Sequence, residues 1–497
     1  MRLHINSLGF QRNQLPFLLL NSGAIRQSIL SSSPSYATSS IQRIASPEFS
    51  SDFSHHDPNI ARLNHGSFGA VPTPVIKAEQ KFRSRWRANP DAFYFGQELE
   101  AELTYASKQV EKRLHSNKDA QGGIGTSPCS VALVENATVA STAIARRWAS
   151  AKKGNVGNNG KKKDNVVMCL DVAYKAVEFG LRHICGNENV HVANVVLFEK
   201  SMKLPRKGFH STISDHDVFV RPLLTDEAIL KRLDDELHRI QPSYVMLDHI
   251  SSQPTIRLPL KKMVDLCRSH SCNVKEIAVD GAHAIGMLDI DVDDINADFY
   301  FCNLHKWSFA SGPVCALYIN TKLDEENPGL ELFKTPHPIP SWRIGEGIVA
   351  EARWAGTRDY AAEASVPVAL EYLEKWQNID GIDAMAFNKV GYKRAVEELR
   401  DAWKMNDHHD PAVTEIDYFA EAMGMLRLPS TLQLGDCKPG QPSGGVRSLL
   451  REKYGVEAAI GNFGEAGPFI RLSHAIYTTD DDIKRLRDAI YELSFKK

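Results

Sequence analysis

Lys306 closes the stretch Asp298-Phe-Tyr-Phe-Cys-Asn-Leu-His-Lys306, and Trp307 follows it. A lysine is ordinarily a solvated surface charge, but one that follows an apolar run and sits between His305 and Trp307 is drawn out of water. Burial beside other cations lowers an amine's pKa toward the neutral, nucleophilic form. Upstream, Ile277-Ala-Val-Asp280 is an apolar run that ends in a carboxylate, and such a run does not tolerate an unpaired charge. Alone, Asp280 fits a cap for a following helix equally well. Together, the two groups match the needs of a pyridoxal phosphate (PLP) site. There the lysine forms a Schiff base with the aldehyde, and the carboxylate keeps the pyridine nitrogen protonated so that the ring accepts electrons. Lys306 and Asp280 are therefore the catalytic candidates, and both also count as cofactor contacts.

Other residues of suitable type stand at corresponding places. His283, one turn beyond Asp280, is placed to touch the ring or its 3′-oxygen. Asn136-Ala137-Thr138 marks the point where a strand-like run becomes a helix of small residues, and helix N-termini suit a phosphate. Asn303 and His305 are further phosphate candidates. Tyr174, after a strand, can stack on a ring face; Ser251 and Ser252, at another strand end, can hydrogen-bond a cofactor. Arg471 follows Pro468-Phe-Ile470 and can hold a substrate carboxylate bidentately. Each has an ordinary structural alternative as a cap, a turn, a core ring or an ion pair.

The elements that must position these side chains are short apolar runs alternating with helical stretches. Val166–Leu170, Val192–Phe198, Tyr244–Asp248, Glu276–Asp280, Asp298–Cys302 and Val314–Ile319 have strand length, and Leu258–His270 has helical period after a proline start. This alternation predicts an α/β fold with a mostly parallel sheet, whose ligands bind at the carboxyl ends of strands. Residues 75–116 read as helical with a break near Asn89-Pro90, and Lys153–Asp164 reads as a solvated loop. The division expected is a leader at 1–47, an N-terminal segment at 48–95, a large cofactor-binding domain at 96–360 and a smaller α+β domain at 361–497.

Lys and Arg number 59 against 61 Asp and Glu, so no global field steers the protein to nucleic acid or an anionic membrane. No apolar run approaches the roughly 20 residues that span a bilayer. The eight cysteines are scattered without a Cys-x-x-Cys pair, which argues against a disulfide framework and offers no metal site. The first 47 residues contain no Asp or Glu, carry Arg2, Arg12, Arg26 and Arg43, and are serine-rich. That is the composition of an organellar transit peptide, with the mitochondrion expected and the chloroplast as alternative.

With these residues assembled, the chain resembles the class V aminotransferase family of PLP enzymes, fold type I, and within it the plant L-cysteine desulfhydrases and isopenicillin N epimerase-like proteins. The resemblance rests on Phe53-Ser-His-His56, Ala61-Arg-Leu-Asn-His-Gly-Ser-Phe-Gly69, Asp280-Gly-Ala-His-Ala-Ile-Gly286, Asn303-Leu-His-Lys-Trp307, Trp354-Ala-Gly-Thr-Arg-Asp-Tyr360 and Arg471-Leu-Ser-His474. It implies a large domain with a mostly parallel sheet sandwiched by helices plus a smaller C-terminal domain, and a homodimer with sites at its interface. Lys306 would be the Schiff-base lysine, and Asp280 the pyridinium partner. Asn136, Ala137, Thr138, Asn303 and His305 would surround the phosphate, and Thr357 would reach the phosphate of the neighbouring subunit. Arg471 would bind the substrate carboxylate, with Asn64 and His65 approaching the substrate. The implied activity is β-elimination of L-cysteine to sulfide, pyruvate and ammonia. Alternatives are an amino-acid epimerase, a C–S lyase on a larger sulfur compound, or a non-catalytic protein of the same fold. Two departures stand out. Gly461–Ile470, where desulfurases of this family carry a persulfide-forming cysteine, has none; the nearest upstream is Cys437. His65 stands where many relatives are expected to have asparagine.

Overall fold

In the computed structural model, the described residues are 51–115, 130–150, 165–196, 225–378, 381–405, 421–432, 445–462 and 468–496. All of them fall in the unit Ala45–Lys497. The leader, the Lys153–Asp164 stretch and Cys437 lie outside the described residues.

Seven strands form the main sheet: β2 (Val131–Val134), β3 (Val167–Leu170), β4 (Val190–Ala193), β5 (Tyr244–Asp248), β6 (Glu276–Asp280), β7 (Phe299–Asn303) and β8 (Cys315–Ile319), in the order β2-β8-β7-β6-β5-β3-β4. Pairing is parallel throughout except at β8, which runs against both β7 and β2. The strands are continuous apolar runs because both faces are covered. On one face Met168, Val245, Leu247, Ile277 and Val279 pack with Val110 of helix Glu98–Leu114, Leu233 of helix Asp226–Ile240 and Val264 of helix Leu260–Ser269. On the other, Cys169, Met246, Ala278, Phe301 and Leu317 pack with Ile144 of helix Ala137–Ser150 and Leu181 of helix Lys175–Cys185. Side chains of successive strand residues alternate between these two cores, as the pleat requires. The result is the three-layer α/β arrangement, a mostly parallel sheet between helices, that the alternation of runs predicted.

A second sheet, of order β11-β12-β9, is antiparallel: β9 (Met423–Arg427), β11 (Ala459–Asn462) and β12 (Pro468–Ser473). Helices Ala384–Ala402, Gly445–Tyr454 and Asp480–Phe495 complete its core. The last of these starts on a capping box in which Thr479 and Asp482 satisfy each other's backbone N–H groups.

The N-terminal region is less irregular than its turn residues suggest. Strand β1 (Ala61–Arg62) pairs in parallel with β10 (Val456–Glu457), and Leu63 O accepts the Ser473 N–H at 3.0 Å. A short helix, His65–Phe68, then turns the chain onto the main sheet. Helix Thr73–Ala88 ends at Asn89, whose side chain caps helix Pro90–Phe95 by accepting the Ala92 N–H, at the predicted break. Helix Ala361–Lys375, expected to open the smaller domain, contributes Val366, Ala369 and Leu370 to the core of the main sheet.

One strand differs in its bounds by more than one residue. Among the described residues, the run expected at Val192–Phe198 pairs over Val190–Ala193. Asp171 draws the chain away from the ladder just beyond, its two carboxylate oxygens accepting the Val196 N–H at 3.2 Å each.

Candidate active site

Six strands, β2 to β7, end on one edge of the main sheet, and the loops leaving β2, β3, β5, β6 and β7 carry the candidate residues. Lys306 lies in the single turn Leu304–Trp307 that follows β7. Its Nζ is 3.2 Å from Nε2 of His283, which leaves the end of β6. Burial and then the Arg471 charge lower the Lys306 pKa to about 8, with Asp280 opposing them. Asp280 is buried, and that burial raises its carboxyl to about 6 against the pull of the Ala282 N–H and of Lys306. The Ala282 N–H donates to Asp280 Oδ1 at 2.9 Å. His283 is held neutral, its pKa pushed well down by burial, Lys306 and Arg471. Its Nδ1 is enclosed without a hydrogen-bond partner among the described residues. The outcome is a neutralisable amine, an enclosed carboxylate and an uncharged imidazole in one recess.

At the end of β2, Asn136 caps the 14-residue helix Ala137–Ser150 by accepting the Val139 N–H at 3.1 Å. The Ala137 N–H donates to Asn303 Oδ1 at 2.9 Å, tying this helix start to β7. Thr138 is exposed in the first turn. His305 Nδ1 sits 2.9 Å from Val314 O, with Gly312 beneath its ring. The Gly356-Thr357-Arg358 turn approaches from another side: Arg358 pairs with the buried Glu363 at 2.7 Å and lies 3.8 Å from Glu135. Thr357 itself is exposed.

Arg471, on β12, is buried and gathers residues remote in sequence. It donates to Ser252 Oγ (2.8 Å), Ser252 O (3.3 Å), Asn64 Oδ1 (2.9 Å) and Ser67 Oγ (2.6 Å). Burial lowers its pKa to about 10, so it remains a cation at neutral pH. Tyr174 is within electrostatic range of the guanidinium and keeps 55% of its surface exposed, an open ring face at the end of β3. Ser251 instead bonds within its own loop, donating to Pro254 O at 2.6 Å. His65 stands apart from the Arg471 group: its Nδ1 meets Tyr477 Oη at 2.9 Å, and its ring packs 4.6 Å from that of Trp307. Burial drives its pKa down to about 3.

Ser67 was not singled out from the sequence, although its spacing three residues after Asn64 on one turn was a usable signal. Gly69 was also passed over as a positioning element. Its φ is +72°, and a Cβ there would meet His305 O at 1.8 Å, so only glycine lets this segment lie against the lysine turn.

The enclosed Asp280 carboxylate facing a lysine of lowered pKa, an unpartnered imidazole nitrogen, an exposed aromatic face and a capped helix start are chemically suited to a pyridine ring bearing an aldehyde and a phosphate. Comparison with known proteins agrees. The chain is 30% identical over 463 residues to a probable L-cysteine desulfhydrase, chloroplastic, from Arabidopsis thaliana, covering 90% of this chain and 86% of the relative. A sequence model of the family "Aminotransferase class-V" matches residues 214–401.

The chain belongs to the aminotransferase class-V family.

A second Arabidopsis thaliana member, named L-cysteine desulfhydrase, is 29% identical over 467 residues and 90% of each chain. Among solved structures, the cystine C–S lyase C-DES in complex with cysteine persulfide superposes with a TM-score of 0.61 at 15% identity, over 88% of this chain and 98% of that one. Another C-DES structure holds glycine covalently linked to its PLP cofactor. The class V assignment and its type I fold thus stand as the motifs predicted.

Proposed function

We propose that this protein is a PLP-dependent carbon–sulfur lyase that converts L-cysteine to sulfide, pyruvate and ammonia by β-elimination. Bound at this edge, PLP would supply an aldehyde for the substrate amine and a ring that withdraws electrons from the α-carbon. The single observation that carries the reading is the arrangement at the ends of the neighbouring strands β6 and β7: the Lys306 amine, 3.2 Å from His283 Nε2, lies within electrostatic range of the buried Asp280 carboxylate. The desulfhydrase names of the two plant relatives direct it to cysteine.

In this reading Lys306 is the general base that takes the α-proton, because its lowered pKa makes the neutral amine accessible near neutral pH. Asp280 would be the charge partner of the ring nitrogen. Asn136, Ala137, Thr138, Asn303 and His305 would hold the phosphate, with Thr357 from a neighbouring subunit. His283, Ser252 and Tyr174 would contact the ring. Arg471, with Asn64 beside it, would orient the substrate carboxylate, a positioning contribution, whereas His65, bonded to Tyr477, stands outside this group. The C–S bond of the substrate then breaks with its electron pair going to sulfur. Water converts the remaining three-carbon fragment to pyruvate and ammonia. The lack of cysteine in Gly461–Ile470 supports release of free sulfide over transfer through a protein persulfide.

Purified protein loaded with PLP is expected to release sulfide and pyruvate from L-cysteine in equal amounts. Cofactor-saturated protein that yields neither product would rule the reaction out.

We also read the protein as a homodimer. Trp342 (80% exposed) stacks on Phe95 (69%) with ring centroids 6.1 Å apart, and Ile344 (69%) is exposed two residues from Trp342. An apolar cluster of this kind on a soluble surface marks an interaction site. Sedimentation should report twice the mass of one chain, and a Trp342→Glu variant should shift it toward one. For the leader, the relative named chloroplastic supports a plastid address; the mitochondrial expectation finds no such support.

A further inference from the structure

Three carboxylates stand side by side where the sheet's strands end. Asp248 and Asp280 are register partners on the adjacent parallel strands β5 and β6. Register partners lie roughly 4.8 Å apart and point to the same face. Asp171 and Asp248 each stand two residues beyond the paired Cys169 and Met246. Cys169, Met246 and Ala278 belong to one core, so the row projects over the same helices, towards the recess that holds Lys306.

Two members of the row have donors. Asp171 accepts the Val196 N–H on both oxygens; Asp280 accepts the Ala282 N–H and lies within electrostatic range of the Lys306 amine. Asp248, between them, is 3% exposed, and its Oδ2 is enclosed with no hydrogen-bond partner among the described residues. Adjacent buried carboxylates do not all ionise, and a shared proton settles on the one with the fewest donors.

We propose that Asp248 is held as an uncharged carboxylic acid and acts as a positioning residue for Asp280, bringing a proton rather than a third negative charge to this edge of the sheet. Its surroundings agree. Burial first, then the Asp280 and Asp171 charges, push its carboxyl well above the ordinary range, and Cys169 beneath it is an uncharged thiol with its pKa at about 12. A charged Asp248 would force the proton onto Asp280 and remove the one negative charge facing Lys306. This consequence for the cofactor rests on the role assigned to Asp280 above; the charge state of Asp248 does not.

The test is isotope-edited infrared spectroscopy of the full chain with carboxyl-labelled aspartate, cofactor-free and PLP-loaded, at slightly alkaline pH. Asp280 and Asp298, raised only to about 6, are ionised there. A protonated-acid C=O band is expected in the wild type and in Asp280→Asn, and its complete loss in Asp248→Asn. Absence of the band from the wild type, or its loss in Asp280→Asn with retention in Asp248→Asn, overturns the proposal. Should Asp248→Asn not fold, the wild-type and Asp280→Asn spectra decide alone. The reading needs no turnover, so a protein inert toward L-cysteine leaves it standing.

Discussion

A Lys306→Ala variant is expected to release sulfide from L-cysteine about 10⁴-fold more slowly than the wild type, the upper range for removal of a positioned general base. It should also lack the absorbance band of lysine-bound PLP while unfolding at a similar or higher temperature, because the lost amine was costly to bury. Retention of a tenth of the wild-type rate would show that another group takes the α-proton. A pH dependence accompanies this. Only the neutral amine attacks an aldehyde, and burial with Arg471 sets its pKa at about 8. Uptake of PLP by the cofactor-free protein should therefore quicken as pH rises and level off above about 8.

The second large effect belongs to Asp280. Asp280→Asn keeps the shape of the side chain but removes the charge proposed above to partner the ring nitrogen, and the elimination rate should fall about 10²- to 10³-fold, as when one preorganised electrostatic contact is deleted. Stability should move the other way. The folded-state pKa of Asp280 is raised to about 6 from the model-compound value of 3.8, so the folded protein holds a proton that the unfolded chain has released. Its contribution is fully present below the unfolded value and is lost as pH climbs to about 6. The cofactor-free Asn variant should therefore melt above the wild type beyond that pH, with the difference shrinking toward pH 4. Loss of both rate and stability at all pH values would indicate a purely structural carboxylate. A carboxylate that costs the empty fold stability while serving the reaction is the usual exchange between stability and activity at such sites.

Much of this edge was legible in the chain itself. Ile277–Asp280 and Phe299–Lys306 combine an apolar run with a terminal ionisable group, and a strand buried on both faces leaves such a group only its end to occupy. The helix start at Asn136 was legible for a similar reason, since a strand-length run passes into small helix-forming residues. What escaped depends on long-range closure. Arg471 meets Asn64 and Ser67 across more than 400 positions, through pairings of β1 with β10 and of β12 with β9 that no local pattern specifies. The short strand at Val190–Ala193 escaped because Asp171, 25 positions from Val196, takes the backbone group that would have extended it. Asp248 drew no reading beyond closing the run Tyr244–Asp248, because its significance lies in the register that sets it beside Asp280.

The pairing of β1 with β10 also governs where the chain can be cut. Residues 61 to 69 connect the far carboxyl-terminal sheet to the lysine turn through Gly69, and they bring Asn64 and Ser67 to Arg471. Removal of residues 1–47 alone would leave this connection whole. Trimming that ran on past Ser67 would remove Asn64 and Ser67, two polar partners of the buried Arg471 guanidinium.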